Sequence, residues 1–282
     1  SKSDRIRQRD QQRGGWSPKP PGGQADEGQE ACDIDELSPN ELDDDEFPFR
    51  FLVQHVVGMR PVVLRGLSAK WRWRRRWQRQ VFVKKYHEHN FSCADVPYKS
   101  QFLRDGAEGG TEQVSLGEFL RLSDEAEGQD GTRAYIFESI QRREHREFLS
   151  DVPDPPSFLT LSHEGKPVFT TAHTQFFLGP AGSGAPPHYH KHAWNALAYG
   201  RKRWFLWPPA AAMYSSMPIR RWLEEVLPRL PPHLAPLEVT QEAGDVVFVP
   251  AGWGHATLNL AASVGLSEEF DVGAAQWAEG AG

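Results

Sequence analysis

The sequence predicts a mainly β fold of the sandwich, barrel or jelly-roll kind, with helices confined largely to its N-terminal part. From Val168 onward the chain is a series of short β-branched and aromatic runs broken by Gly and Pro: PVFTTAHTQFFLGP, KRWFLWPP, PLEVTQEAGDVVFVPAG, HATLNL and SVGLSEEF. One helical stretch, Ile219 to Leu227, lies among them and is stopped by Pro228. Many short strands without interleaved helices indicate a sheet packed on another sheet or closed on itself. At 282 residues the chain can bury a large core, as one long β domain or one domain with appendages.

Composition bounds the rest. Apolar residues make up 39%, low enough to suggest that part of the chain is unfolded. Residues 1–37, rich in Gln, Gly, Pro and charge, are expected to be that part. From Asp26 to Glu46 the chain carries acids and no Lys or Arg, which reads as a solvating tail or a docking segment for a basic partner. A net charge of −6 is too mild to imply a partner for the whole protein. Cys32 and Cys93 form neither a disulfide framework nor a CxxC site, which fits a reducing compartment without excluding a secretory one. No apolar run approaches the roughly 18 residues that span a bilayer. The first residue is Ser1, so a trimmed leader stays open, and with it nucleus, cytoplasm or endoplasmic reticulum lumen.

Order is expected from Ser38. Ser38-Pro39-Asn40-Glu41 has capping-box spacing with Pro at the first helical position. A helix over Phe49 to Val57 would bury Phe51, Leu52, His55 and Val56 on one side. Arg60-Pro-Val-Val-Leu-Arg-Gly66 reads as a strand, Ser115 with Glu118 as a second capping box opening SLGEFLRL, and Ala134 to Phe137 as another strand.

Between the first strand and that second box lies Lys70 to Lys85, with eight basic residues, three tryptophans and no acid. Basic residues interleaved with aromatics can bind nucleic acid through phosphates and stacking. The plainer reading is an amphipathic surface helix that buries Trp73 and Trp77 (i, i+4) and solvates its arginines. No recognised nucleic-acid module surrounds the stretch. Acidic protein substrates, or the chain's own acidic tail, could equally meet this face.

The chemistry is concentrated in Gly182 to Pro209, GSGAPPHYHKHAWNALAYGRKRWFLWPP. His188, His190 and His192 alternate with Tyr189 and Lys191, so in an extended strand all three imidazoles leave one face. Imidazole is the commonest ligand for borderline divalent metals, and a further ligand is expected from His255 in PAGWGHATLN.

Spacing makes this specific. Gly182 stands six positions before His188-x-His190, and Gly244, Pro250, Gly252, His255 and Asn259 follow G(X)5PXG(X)2H(X)3N. The two blocks resemble the paired motifs of the cupin superfamily, whose fold is a double-stranded β-helix, a jelly roll. The first block lacks the glutamate usual downstream, and Asn195 stands near that place. RPVVLRGL followed by a Trp-rich helix, AWNALAYGRKRWFLWPP, and AGDVVFVPAGWGHATLNL are more narrowly similar to the jumonji-C (JmjC) oxygenases, over about Phe47 to Asp271. The likeness is greatest to the small subgroup with little beyond the catalytic domain. It implies a single domain over 38–282, with N-terminal support over 38–160, a jelly-roll core over 161–271 and a flexible tail over 272–282.

The resemblance further implies Fe(II), 2-oxoglutarate and hydroxylation (or demethylation) of a protein side chain. His188 and His255 match the two metal histidines, and Lys202 matches the lysine that pairs with the distal carboxylate of 2-oxoglutarate. Asn195 and Tyr135 match residues found near the same cosubstrate. Trp253 and Tyr189 are expected to line the pocket. The family's triad is His-x-Asp/Glu…His, and here the acid position is His190, making His188, His190 and His255 the expected ligand and catalytic set. His192 is an additional candidate for a ligand or for support of one. Three neutral imidazoles leave a divalent ion at +2, where two imidazoles and a carboxylate leave +1. Two alternatives therefore stand beside the oxygenase: a three-histidine cupin metalloenzyme that does not use 2-oxoglutarate, and a catalytically inactive JmjC-like binding protein.

Overall fold

The computed structural model describes residues 14–16, 32–97, 112–125, 135–140, 145, 148, 150–152 and 156–273. Its strands are β1 (Asp35–Leu37), β2 (Val62–Leu64), β3 (Asn90–Ala94), β4 (Glu112–Ser115), β5 (Tyr135–Ser139), β6 (Ser162–His163), β7 (Lys166–Pro167), β8 (Phe169–Gly179), β9 (Gly184–His188), β10 (His192–Trp207), β11 (Leu237–Glu242), β12 (Val246–Val249) and β13 (Gly254–Val272).

Two long antiparallel strands, β10 and β13, organise the domain. HATLNL and SVGLSEEF form this one strand β13, because no Gly or Pro separates them. Each strand serves two sheets. In one, the His192–Leu197 half of β10 pairs with Gly265–Phe270 of β13 and with β12, and the sheet extends through β8, β5, β3 and β4 on one side and β2 and β1 on the other. In the other, Arg201–Leu206 pairs with β11 and with His255–Ala261 of β13, which also carries β9. The ladder is irregular where the halves join, between Leu197 and Lys202. Gly200 at this bend has φ +104, and a Cβ there would lie 2.4 Å from the Ala262 carbonyl oxygen, so only glycine fits. The two sheets, sharing bent strands, form the double-stranded β-helix that the motif spacing implied.

The N-terminal half covers the outer face of the larger sheet. Phe47, Phe51, Leu52 and Val56 join one core with Trp194, Phe248 and Phe270, and the Phe51 and Phe248 rings meet at 4.9 Å. The expected helix starts at Phe47, not Phe49, and widens into a π-helix over Leu52–Val57, yet it buries the four residues expected of it. At Ser38 the Glu41 carboxylate accepts from both the backbone N–H and the hydroxyl, at 2.8 and 2.7 Å. At the second box the Glu118 N–H donates to Ser115 Oγ at 3.2 Å and the helix runs Leu116–Glu125.

The Lys70–Lys85 stretch is two short helices, Trp73–Arg76 and Arg79–Tyr86, that bury Trp73, Trp77, Phe82 and Tyr86. Several of its cations are engaged internally. Arg74 Nε donates to the Ala198 carbonyl at 3.1 Å and its guanidinium lies over Tyr199. Arg76 and Lys85 share the Asp151 carboxylate. The described part of the acidic run pairs elsewhere, Asp35 with Arg60 and Glu36 with Arg65.

Residues 1–37 differ from expectation where the structure describes them. Trp16 is buried against Phe82 and donates its indole N–H to the Trp77 carbonyl at 2.8 Å, while Asp35–Leu37 adds to β2 as a parallel strand. Indole burial and ladder pairing offset part of the entropy lost in ordering these residues. Residues 1–13 and 17–31 lie outside the described set, as do 274–282 of the expected C-terminal tail, into which β13 reaches at Val272. Among the described residues no helix is long and apolar enough to cross a membrane.

Candidate metal centre

β9 and β13 bring the first two histidines together by simple register. His188, the last residue of β9, stands directly opposite His255 near the start of β13, and their rings lie 4.2 Å apart. β9 ends at His188, one residue short of the start of β13 at Gly254. The chain then turns, and the His190 carbonyl accepts the N–H of Gly252 at 2.9 Å. Gly252 has φ +76, a left-handed conformation suited to glycine, in the turn in which the Trp253 N–H returns to the Pro250 carbonyl. The two sequence blocks are thus clipped to each other, and His190 swings toward His255 with rings at 4.7 Å.

The nitrogens are set as a ligand group. Nδ1 of His188 faces the Pro186 carbonyl at 2.8 Å, Nδ1 of His190 the Lys191 carbonyl at 2.8 Å, and Nδ1 of His255 the Trp253 carbonyl at 3.1 Å. A carbonyl only accepts, so each Nδ1 carries the proton and each Nε2 keeps its lone pair. One ligand atom from each histidine lies within 4.8 Å of the others. Burial, with His190 nearby, pushes His188 down to about 3, and burial with both neighbouring histidines holds His255 well below the usual histidine range. Three imidazoles whose Nδ1 atoms are held by carbonyls fit a divalent borderline ion bound through Nε2.

The same strands place the other candidates. Along β10, Lys202, Trp204 and Leu206 are buried and Arg201 and Arg203 pair outward with Glu242 and Glu238, as period-two alternation requires. Lys202 is 1% exposed, donates to the Tyr135 hydroxyl at 3.0 Å, and lies 3.5 Å from the centroid of the Phe177 ring. Among the described residues no carboxylate pairs with it. Asn195 lines a small cavity of about 20 Å³ beside His190 and His255, and its Oδ1 is buried without a hydrogen-bond donor. A buried lysine without an anion fits an acidic ligand, while the orphaned Asn195 oxygen calls for a donor.

Three expectations are corrected. His192 is not on the face of His188 and His190; it starts β10, its Nδ1 accepts the Ala251 N–H at 3.1 Å, and its ring stacks on Phe248 and Phe270. Trp253 packs on the cluster of Val63, Trp204 and Val249 and does not line the cavity. Tyr189, 41% exposed, points out of the turn and its ring meets that of Tyr214. Residues that do line the cavity, and that sequence reasoning missed, include Trp204, Ser267 and Val247. Trp204 was within reach of the alternation argument, two positions beyond Lys202 on the same strand.

Comparison with known proteins agrees with this geometry. The cupin-like domain family matches residues 48–268. The human JmjC domain-containing protein 8 is 30% identical over 266 residues, covering 90% of this chain and 89% of that protein. The bifunctional arginine demethylase and lysyl-hydroxylase psr-1 of Caenorhabditis briggsae is 28% identical over 232 residues, 74% of this chain and 55% of that protein. The chicken 2-oxoglutarate and iron-dependent oxygenase JMJD4 is 33% identical over 107 residues, 33% of this chain and 25% of that protein. With a domain match over most of its length and a relative that aligns with nine tenths of it, the chain belongs to the cupin-like JmjC family.

Proposed function

We propose that this chain is a JmjC-type Fe(II)/2-oxoglutarate-dependent oxygenase that hydroxylates, or by hydroxylation demethylates, a protein side chain. The observation that carries the reading is the coexistence of two half-sites in one strand framework: the histidine cluster of β9, its following turn and β13, and an anion-less buried lysine on β10. Relatives named as an iron-dependent oxygenase, an arginine demethylase and a lysyl-hydroxylase support it.

In this reading His188, His190 and His255 hold the ion through Nε2, each aimed by the carbonyl at its Nδ1. Lys202, oriented by Tyr135, pairs with the distal carboxylate of the cosubstrate, and Asn195 offers it an amide. When bound, iron(II) and 2-oxoglutarate supply the oxidising chemistry, in which dioxygen, the keto acid and a substrate C–H group become succinate, carbon dioxide and a hydroxylated product. The apolar walls, Trp204 and Val247 among them, exclude water from that interior. The test is 2-oxoglutarate-dependent release of succinate by the full chain, lost in His188→Ala and His255→Ala. Absence of turnover with every protein extract offered would count against it.

One observation favours a second reading. His190 leaves the ligand set without a carboxylate, which suits a three-histidine metalloenzyme that does not use 2-oxoglutarate. Metal analysis of protein purified without added metal, followed by 2-oxoglutarate binding, separates the two.

A further inference from the structure

Every element packed around Lys202 has been built without a counter-charge. Its own strand supplies Trp204, whose ring centroid is 6.0 Å from Nζ. β5 supplies the Tyr135 phenol and β8 the Phe177 face. Across the ladders its neighbours are Asn259 on β13 and Gln241 on β11. Gln241 is occupied elsewhere, bonding Trp204 Nε1 and two backbone carbonyls, while Asn259 donates through Nδ2 to Ser183 Oγ and keeps a buried Oδ1 without a donor. The nearby acid Asp245 is committed to Arg65 and to the Gly66 N–H. Among the described residues the one titratable group hydrogen-bonded to Lys202 is Tyr135, which burial holds far above the usual phenol range and so keeps neutral.

An ammonium has three donors and a strong need for hydration. This pocket offers neutral acceptors, the Tyr135 hydroxyl and the unpaired Asn259 Oδ1, and the rings of Phe177, Tyr135 and Trp204, but no anion, and these return only part of what burial removes. A neutral amine has no such deficit. Burial accordingly holds Lys202 well below the usual lysine range, with no charged neighbour opposing it.

We infer that Lys202 stands neutral in the ligand-free protein and takes up one proton from solvent when a dicarboxylate enters, so that capture of the cosubstrate is coupled to proton uptake at this residue. The inference rests on the proposed use of 2-oxoglutarate. The amine lone pair accepts the proton and the ligand arrives already ionised, so an ion pair forms with no other bond made or broken. The neutral state leaves no uncompensated charge among these apolar neighbours. The charged state is then created only where a carboxylate compensates it.

The test is calorimetric titration of the full chain, with manganese(II) present, by the inert dicarboxylate N-oxalylglycine in phosphate and in Tris buffers. Uptake near one proton per site is expected at pH 7.5, with affinity weakening about tenfold per pH unit above neutrality. In Lys202→Arg, which stays charged, the buffer-dependent heat should vanish. Should that variant fail to fold, pyruvate, which lacks the distal carboxylate, serves with the unmodified protein, and uptake equal to that of N-oxalylglycine would overturn the assignment to Lys202. Binding with no proton uptake and a flat pH profile overturns the coupling while leaving the oxygenase reading intact. Failure to bind the dicarboxylate at any pH overturns both.

Discussion

The carbonyl of His190 accepts the backbone N–H of Gly252, and this bond at 2.9 Å joins the two halves of the histidine cluster. It ties the residue that departs from the family's acid to the turn that delivers His255. A Cβ at position 252 would meet nothing nearer than Pro209 at 3.9 Å, so the demand for glycine there is conformational, not steric. Gly252→Ala should cost about 1–2 kcal/mol of stability through the left-handed backbone alone. Urea unfolding checks the cost, and metal titration should show weaker binding in the same variant. Unchanged metal affinity would mean that the clip does not position the ligands.

His190→Asp restores a carboxylate to the ligand set and lowers the charge of a bound divalent ion from +2 to +1. Metal should remain bound, and 2-oxoglutarate-dependent succinate release should rise if the site runs on iron. Loss of metal from this variant, seen by elemental analysis, would instead identify the three-histidine set as the working design.

Trp77 is fully buried, with its ring 5.6 Å from those of Phe82 and Phe148 and 5.4 Å from that of Phe176. Trp77→Ala should cost about 3–5 kcal/mol by leaving a cavity at that junction. Arg75→Ala, on the exposed side of the helix that Trp77 caps, should change stability by about 0.5 kcal/mol or less. Equal losses in the two variants by chemical denaturation would contradict the assignment of this helix as a core element.

Asp151 is buried and accepts from Lys85 Nζ at 2.8 Å, Tyr86 OH at 2.7 Å and Arg76 at 3.1 Å. Burial opposes its ionisation, but these partners win and hold the carboxyl below the usual aspartate range. A carboxyl depressed in the folded state binds its proton more weakly there than in the unfolded chain. Its stabilisation is therefore present above about pH 4 and is lost as pH falls through the folded-state value. Thermal midpoints measured from pH 7 to pH 3 should fall, and Asp151→Asn should lower the midpoint at pH 7 while flattening the acid limb.

Much of this was legible in the sequence because the informative signals were local and geometric. The Gly, Pro and His spacing of residues 244–259 encodes a turn and a strand, and alternation along Arg201-Lys202-Arg203 encodes which cation goes inside. What misled was also alternation. His188-Tyr189-His190-Lys191-His192 reads as one strand, but β9 ends at His188, the chain turns, and His192 leaves the site. Where β9 ends is reported by no residue within the HYHKH segment. The docking of Trp16 was hidden for a similar reason: a lone indole in a polar stretch gives no period, and its acceptor lies 61 residues away.

That indole sets a practical boundary for anyone trimming the protein. Gly14 gives its carbonyl to the Arg79 N–H, and Trp16 fills the space between Phe82 and the Trp77 backbone. A version cut to begin at Ser38, where regular structure first becomes obvious, would discard this plug together with β1 and leave Phe82 and the edge of β2 wet. Such a fragment should be sticky and prone to aggregate, so the shortest faithful form of the domain begins upstream of Gly14.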